Sequence, residues 1–349
     1  MFLRMAQALV LLLVFGCFGC AEAENLWFND QAAPRFGASR DSSMVELVCD
    51  KYGRNTQVAT LSFMLDELSG LVVSRTYPDI IWAHNDSGDE ANVFALSIST
   101  GELVSIVRLL DVRAYDWEDI AMGPCEEGWC LYVGDIGDNL ARRKNIQIHR
   151  LPEPDPYAGI WQRVEVETMT ATYSTGPIDA ESLFVVEDDV YILSKGNGVS
   201  NLYEAPFEAR EDAVFPRRAI IEWEQRIARG GAFMATGADY ATNPPRLIVR
   251  GYFAMLEFVG EEGEDIETLL QRRARRVPEG GDLQGEAVGY GPNGYYHAGE
   301  RNNAPLWHVG CPANDTPECP DASDALDPEA SGSSSSPECS PLSPAKASE

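Results

Sequence analysis

The sequence predicts an all-β chain folded as a β-propeller, with five blades and a ring closed by an N-terminal strand. Three observations lead there. A unit of short apolar runs separated by turns recurs five times, the last unit lacks its fourth run, and an orphan run from Gln57 to Phe63 stands ahead of the first unit. Pairing that orphan with the last unit completes its sheet and closes the circle.

Taken in order, residues 1–23 read as an export signal, with Arg4 ahead of the apolar run from Ala8 to Phe18 and small residues behind it. The run is too short to span a bilayer as a mature helix. Two processing outcomes stay open: Ala21-Glu22-Ala23 fits cleavage by signal peptidase, and Phe18-Gly19-Cys20 resembles the end of a bacterial lipobox, which would put lipid on Cys20. Either outcome places the chain outside the cytoplasm, secreted, periplasmic or lipid-anchored at the envelope. Residues 24–44 read as a flexible linker and 45–311 carry the propeller pattern. From 312 to 349 the chain is rich in Ser, Pro, Asp, Glu and Ala and poor in large apolar residues, a composition expected to stay disordered.

Within 45–311 the innermost run of each unit carries an acidic or small residue at its first or second position: Leu68 to Val73, Glu118 to Met122, Glu181 to Val185, Thr236 to Tyr240 and Gly285 to Gly289. Second runs follow at a steady offset, from Ile80 to His84, Leu131 to Asp135, Val190 to Ser194, Leu247 to Arg250 and Tyr295 to Ala298. Third runs begin at Asn92, Asn145, Asn201, Ala254 and Pro305. Fourth runs are read from Leu103 to Leu109, Val164 to Tyr173, Arg217 to Trp223 and Arg273 to Val277. A sixth blade stays open if 42–49 or 204–235 hides another sheet. A β-sandwich with coincidental spacing is the competing architecture.

Of eight cysteines, Cys17 and Cys20 fall in the export segment, leaving an even number for an oxidising compartment. Cys125 and Cys130 bracket a hairpin turn, and Cys49 and Cys311 flank the two ends of the patterned region. Bridges within each pair fit those positions, and with Cys319 and Cys339 also in the count the connectivity of the six stays open at this point.

The 27 Lys and Arg against 55 Asp and Glu leave a formal charge of −28. Nucleic acid and anionic membrane surfaces are therefore repelled, and the one membrane contact expected is an N-terminal lipid anchor. No G-x-S-x-G, H-E-x-x-H or Walker loop is present. The cluster Arg272, Arg273, Arg275 and Arg276 reads as a solvated face.

In a propeller the innermost strands line a central channel, so side chains at matching positions share one space. Glu118, Glu181 and Glu286 match, Asp116 and Asp179 precede the first two, and the second runs end near Asp86, Asp135, Lys195 and Glu300, with His84 and Arg250 close by. Crowded carboxylates raise one another's pKa until a cation or a proton intervenes. Hard oxygen donors without a Cys/His cluster point to Ca²⁺. The loops Asn85-Asp86-Ser87-Gly88-Asp89-Glu90 and Gly134-Asp135-Ile136-Gly137-Asp138-Asn139 each set two acids about a glycine that allows a tight turn, though neither has EF-hand spacing. The metal-ligand candidates are therefore Asp86, Asp89, Asp116, Glu118, Asp135, Asp138, Asp179 and Glu181; His84, Lys195, Arg250, Glu286 and Glu300 are candidates for holding a ligand. As plain turns, such loops would carry the same Asp residues as caps for backbone N–H groups.

His84-Asn85-Asp86-Ser87-Gly88, Asp116-Trp117-Glu118-Asp119-Ile120-Ala121, Val133 to Asn139 and Gly285-Glu286-Ala287-Val288 resemble stretches of uncharacterised secreted bacterial β-propellers that are distantly phytase-like. The resemblance runs from Leu65 to Val309. It implies a propeller whose carboxylates bridge calcium, with basic residues such as Lys195 and Arg250 on a phosphate ester. Two functions follow as expectations: binding of a ligand or an extracytoplasmic protein at an acidic, calcium-containing mouth, or metal-dependent hydrolysis of phosphate or carboxylic esters or lactones with Glu118 or Glu181 as general base.

Overall fold

The computed structural model describes residues 49, 51–86, 88, 90–126, 128–223, 232–282 and 284–312. The export signal, the linker, nearly all of the acidic tail and Asp89 lie outside the described residues.

Strand β1 (Asn55–Thr60) comes first. Blade one holds β2 (Leu68–Val73), β3 (Ile80–Asn85), β4 (Asn92–Ser97) and β5 (Leu103–Leu109), and blade two opens with β6 (Trp117–Cys125), β7 (Gly128–Asp135) and β8 (Ile146–Pro152). The chain then steps back to blade one, adding β9 (Trp161–Val164) in parallel to the edge of β5, before returning as β10 (Glu167–Tyr173), the fourth strand of blade two. The run read from Val164 to Tyr173 as one strand is therefore two, on different blades. Blade three repeats the excursion: β11 (Ala180–Val186), β12 (Asp189–Ser194) and β13 (Val199–Pro206) are followed by β14 (Ala213–Phe215), parallel to β10 of blade two, and then β15 (Arg217–Glu222). The described part of 204–235 thus supplies outer strands to blades two and three instead of building a sixth sheet, and residues 42–48, from the other stretch read as a possible sheet, lie outside the described residues.

Blade four consists of β16 (Ala235–Thr242), β17 (Pro245–Gly251), β18 (Ala254–Val259) and β19 (Arg275–Val277), with the one-turn helix α1 (Ile266–Leu269) in its last connection. Blade five, β20 (Gly285–Gly291), β21 (Gly294–Gly299) and β22 (Pro305–Val309), receives β1 as its outer strand, antiparallel, with Asn55 opposite Val309. The inner strands β2, β6, β11, β16 and β20 touch in cyclic order, β20 meeting β2. The molecule is a five-bladed β-propeller with its ring closed by the N-terminal strand, and the sandwich alternative falls.

Each blade is buried on both faces, because five apolar cores fill the five gaps between neighbours. That explains the unbroken apolar runs where a half-exposed sheet would alternate; β2 and β3 have no exposed residue. Both expected disulfides are formed, Cys125–Cys130 across the β6–β7 hairpin and Cys49–Cys311 across the closing seam. The second spans 262 residues. In the chain-entropy account so long a loop is worth about 5 kcal/mol. Arg275 adds a bond to the carbonyl of Cys49 (2.8 Å), and Tyr52 donates to the wholly buried Glu257 (2.6 Å), so blade four also grips the N-terminal segment. Arg272, Arg275 and Arg276 are paired to glutamates instead of forming a bare basic face. Among the described residues no helix is long and apolar enough to cross a membrane.

Candidate metal centre at the channel mouth

All five inner strands begin at one end of the channel, and all five slip register against the second strand at their second residue. The slipped residues are Ser69, Glu118, Glu181, Thr236 and Glu286. A β-bulge re-aims its extra residue away from the regular alternation. Ser69, Glu118, Glu181 and Glu286 accordingly line one cavity of about 180 Å³, together with Asp86, Lys195, Tyr252, Gln284 and Glu300. The two hydroxyl residues stitch blades: Ser69 donates to the carbonyl of Glu118 (2.6 Å) and Thr236 to that of Gly285 (2.8 Å).

On the side of blades one to three the carboxylates crowd. Asp86, Asp116 and Glu118 present oxygens within 4.8 Å of one another, and so do Glu118, Asp179 and Glu181. Two oxygens on the shell of one Ca²⁺, each at about 2.4 Å, stand at most about 4.8 Å apart, so each triad matches the reach of a single ion. Glu118 belongs to both. Burial pushes Glu118 well up, with Glu181, Asp86, Asp116 and Asp179 adding to it. Burial and Asp86 raise Asp116 to about 6, against the pull of Arg143. Glu181 reaches about 7, raised by burial while Lys195 holds it down. Across the cavity burial lifts Glu286 to about 9, assisted by Glu181. Lys195 loses from burial but gains more from Glu181, its direct partner, and stays an ammonium, with its Nζ 5.2 Å from the centre of the Tyr252 ring.

Two further features fit an ion. Glu181 is 4 % exposed, and its Oε2 has no hydrogen-bond partner among the described residues. Gly137 faces the first triad so closely that a Cβ there would collide with Glu118 Oε1 and come within 2.7 Å of the Asp116 carboxylate. The glycines of the two similar loops thus serve different ends. Gly88 has φ +94° and open space about it, so it serves the turn; Gly137 leaves room beside the carboxylates.

The predicted site residues separate into two groups. Asp86, Asp116, Glu118, Asp179 and Glu181 come together, Lys195 pairs with Glu181, and Glu286 and Glu300 line the same cavity. Asp135 and Asp138 are turned into their own loop: Asp135 pairs with Arg143 (2.6 Å) and accepts from the N–H groups of Tyr115 and Asp116, and Asp138 accepts from those of Arg142 and Arg143. These two are the plain-turn outcome. Their loop still serves the site, since the Asp138 N–H donates to Asp179 Oδ1 (2.9 Å). His84 lies in the core behind β2, edge-on to Trp117, and burial holds it neutral by lowering it to about 4. Arg250 is wholly buried against Gly285 and paired with Asp282 (3.1 Å), away from the cavity lining.

The sequence reading also missed residues. Tyr252, Gln284 and Asn139 reach the mouth from loops, where no periodicity announces them. Asp119 had a signal, a charge inside an apolar inner strand. It is fully buried and accepts from the backbone N–H of Ile120 (2.9 Å), of Leu183 in blade three (2.8 Å) and of Ala238 in blade four (3.0 Å). Asp239 repeats the device toward blade five through the N–H of Tyr290 (2.7 Å).

No family model and no curated protein matches this chain. Among solved structures it is similar to a PQQ-bound aldose sugar dehydrogenase from Streptomyces coelicolor, at 10% identity and TM-score 0.42, the match covering 75% of this chain and 99% of that one. A glutaminyl cyclase from Myxococcus xanthus is similar at 10% identity and TM-score 0.40, over 74% of this chain and 96% of that one. Likeness at this level carries no chemistry, and the propeller assignment rests on the closed ring of blades described above.

Proposed function

We propose that this protein is an exported propeller that binds a hard divalent cation, Ca²⁺ by its donor chemistry, at the channel mouth, and uses the ion to hold an oxygen-bearing ligand there. The observation that carries this reading is the pair of carboxylate triads sharing Glu118, with the buried, unpartnered Glu181 Oε2 among them. Asp86, Asp116, Glu118, Asp179 and Glu181 would hold the ion; when bound it neutralises their charge and presents an electropositive face to the cavity. Lys195 and Tyr252 border that face and orient what enters.

Hydrolysis through Glu118 or Glu181 as general base is the weaker reading, because both carboxylates belong to the ion's donor set. With Arg250 sequestered against Asp282, Lys195 is, among the described residues, the one cation lining the mouth cavity for a phosphate. Calorimetric titration with Ca²⁺ tests the proposal. Saturable binding that weakens at least a hundredfold in Glu181→Gln, and also in Gly137→Ala where every carboxylate is kept, supports it. Wild-type affinity in both variants, or no binding at millimolar Ca²⁺, overturns it.

A further inference from the structure

The acids of the mouth come from two parts of the ring. Both triads are built by blades one to three, whereas Gln284, Glu286 and Glu300 belong to blade five, just before β20, within it and just after β21. Glu286 is the residue at which β20 slips register; it is 8 % exposed, and it lines the cavity. Burial and neighbouring charges act on its carboxyl, which has no hydrogen-bond donor among the described residues. A carboxyl buried so deeply without a donor is costly, and a ligand that donates to it removes the cost.

The groups around Glu286 accept more than they donate. Gln284 spends its Nε2 on Glu300, which leaves its amide oxygen as an acceptor. Lys195 is engaged by Glu181, with its Nζ 5.2 Å from the centre of the Tyr252 ring. Five carboxyl groups line the cavity, and Lys195 with a divalent ion would offset three of their five formal charges. What stays unanswered is negative, so an anion is repelled and a singly positive ligand is drawn in. An ammonium brings three donors at once and favours Glu286 as its carboxylate; a hydroxyl brings one donor and no charge.

We infer that the ligand of the mouth is a small amino alcohol, its primary ammonium held on the blade-five side by Glu286, with Glu300 and Gln284 beside it, and its hydroxyl oxygens on the ion. The inference rests on the cation reading above and names the ligand class for that site. Serinol (2-amino-1,3-propanediol) and glycerol are the probes, since they differ only in an ammonium in place of the central hydroxyl. In calorimetric titration at pH 7 and saturating Ca²⁺, serinol should bind saturably and about tenfold or more tighter than glycerol, the worth of a charge-assisted hydrogen bond. Glu286→Gln should bring serinol down to the level of glycerol while Ca²⁺ still binds. Glu300→Gln, at a half-exposed position, should weaken serinol about threefold. Butylamine, an ammonium without hydroxyls such as a lysine side chain presents, should bind less tightly than serinol. The cation reading fails separately, in a Ca²⁺ titration without amine; in that event the preference for serinol over glycerol, and its loss in Glu286→Gln, are expected without metal. The inference is overturned by serinol binding no tighter than glycerol, by unchanged serinol affinity in folded Glu286→Gln, by butylamine binding as tightly as serinol, or by no serinol binding at tens of millimolar.

Discussion

Glu118 and Asp119 are neighbours in β6, both carboxylates and both buried, and the molecule treats them in opposite ways. Asp119 points into the hub, where three backbone N–H groups from three blades converge on it. Glu118, displaced by the bulge, points into the mouth, where what converges on it is more carboxylate. Burial raises both. For Asp119 the backbone donors pull back; for Glu118 the four carboxylates of Glu181, Asp86, Asp116 and Asp179 push the same way as burial. A buried anion supplied with fixed donors is a structural pin, whereas one surrounded by its own kind is an opening for a cation. One residue of register separates the two.

That contrast is open to experiment. The largest effect is expected for Asp119→Ala, which orphans three donors in the dry hub at about 1 kcal/mol or more each. Thermal denaturation should show a loss of at least about 3 kcal/mol, or about 6–12 °C, with or without Ca²⁺. Glu118→Gln should cost little in EDTA and instead remove the response to Ca²⁺. A fall in stability for Glu118→Gln as deep as that for Asp119→Ala would erase the distinction.

Next in size is the cation itself. Ca²⁺ at a hundred times its Kd should stabilise the wild type by about 2.7 kcal/mol, read as a rise in Tm, and Glu181→Gln, bound at least a hundredfold more weakly, by no more than about 0.4 kcal/mol.

The pH dependence sharpens the comparison further. Glu181 at about 7 and Glu286 at about 9 are raised above their unfolded values near 4.3, so between pH 6.5 and 9 the folded state holds more protons than the unfolded state. Stability in EDTA should therefore decline as pH rises through that window, and saturating Ca²⁺ should flatten the decline by taking the place of the protons. Below about 6.5 a second set of groups begins to act in the opposite direction, while the raised carboxylates still favour the folded state. His84, His149 and His297, all lowered to about 4 by burial, take up protons more readily when unfolded and so oppose folding as pH drops.

The smallest effect belongs to the two bulges that carry hydroxyls. Ser69→Ala and Thr236→Ala should each cost about 1 kcal/mol through one lost hydrogen bond between blades, with Ca²⁺ affinity unchanged. A change in affinity would mean that all five bulges act as one site.

Much of this was legible before any coordinates. The five units, the orphan strand that closes the ring and both disulfides could be read because strands buried on both faces leave long apolar runs, and because chain ends that must meet carry matching cysteines. Glu118, Glu181 and Glu286 were legible as equivalents, since three of the five repeated bulges carry the same residue type. The steps of β9 and β14 to the preceding blade were not, because an edge strand beside its own blade and one beside its neighbour have the same local pattern. Asp135 and Asp138 looked like ligands for the same reason: a carboxylate that caps a loop and one that faces a cavity differ in direction and not in spelling.

The order of the first, second and third strands of each blade, the closure of the ring and the presence of acid at its inner rim were thus determined by the sequence alone, through periodicities that act over a few residues. Which acids share a space, that Gly137 must lack a Cβ, that Asp119 pins three blades and that His84 and Arg250 are sealed in the core were decided by tertiary structure. Those outcomes turn on contacts between blades tens to hundreds of residues apart and on a single-residue shift in register, where the direction of a side chain is set by what packs behind it.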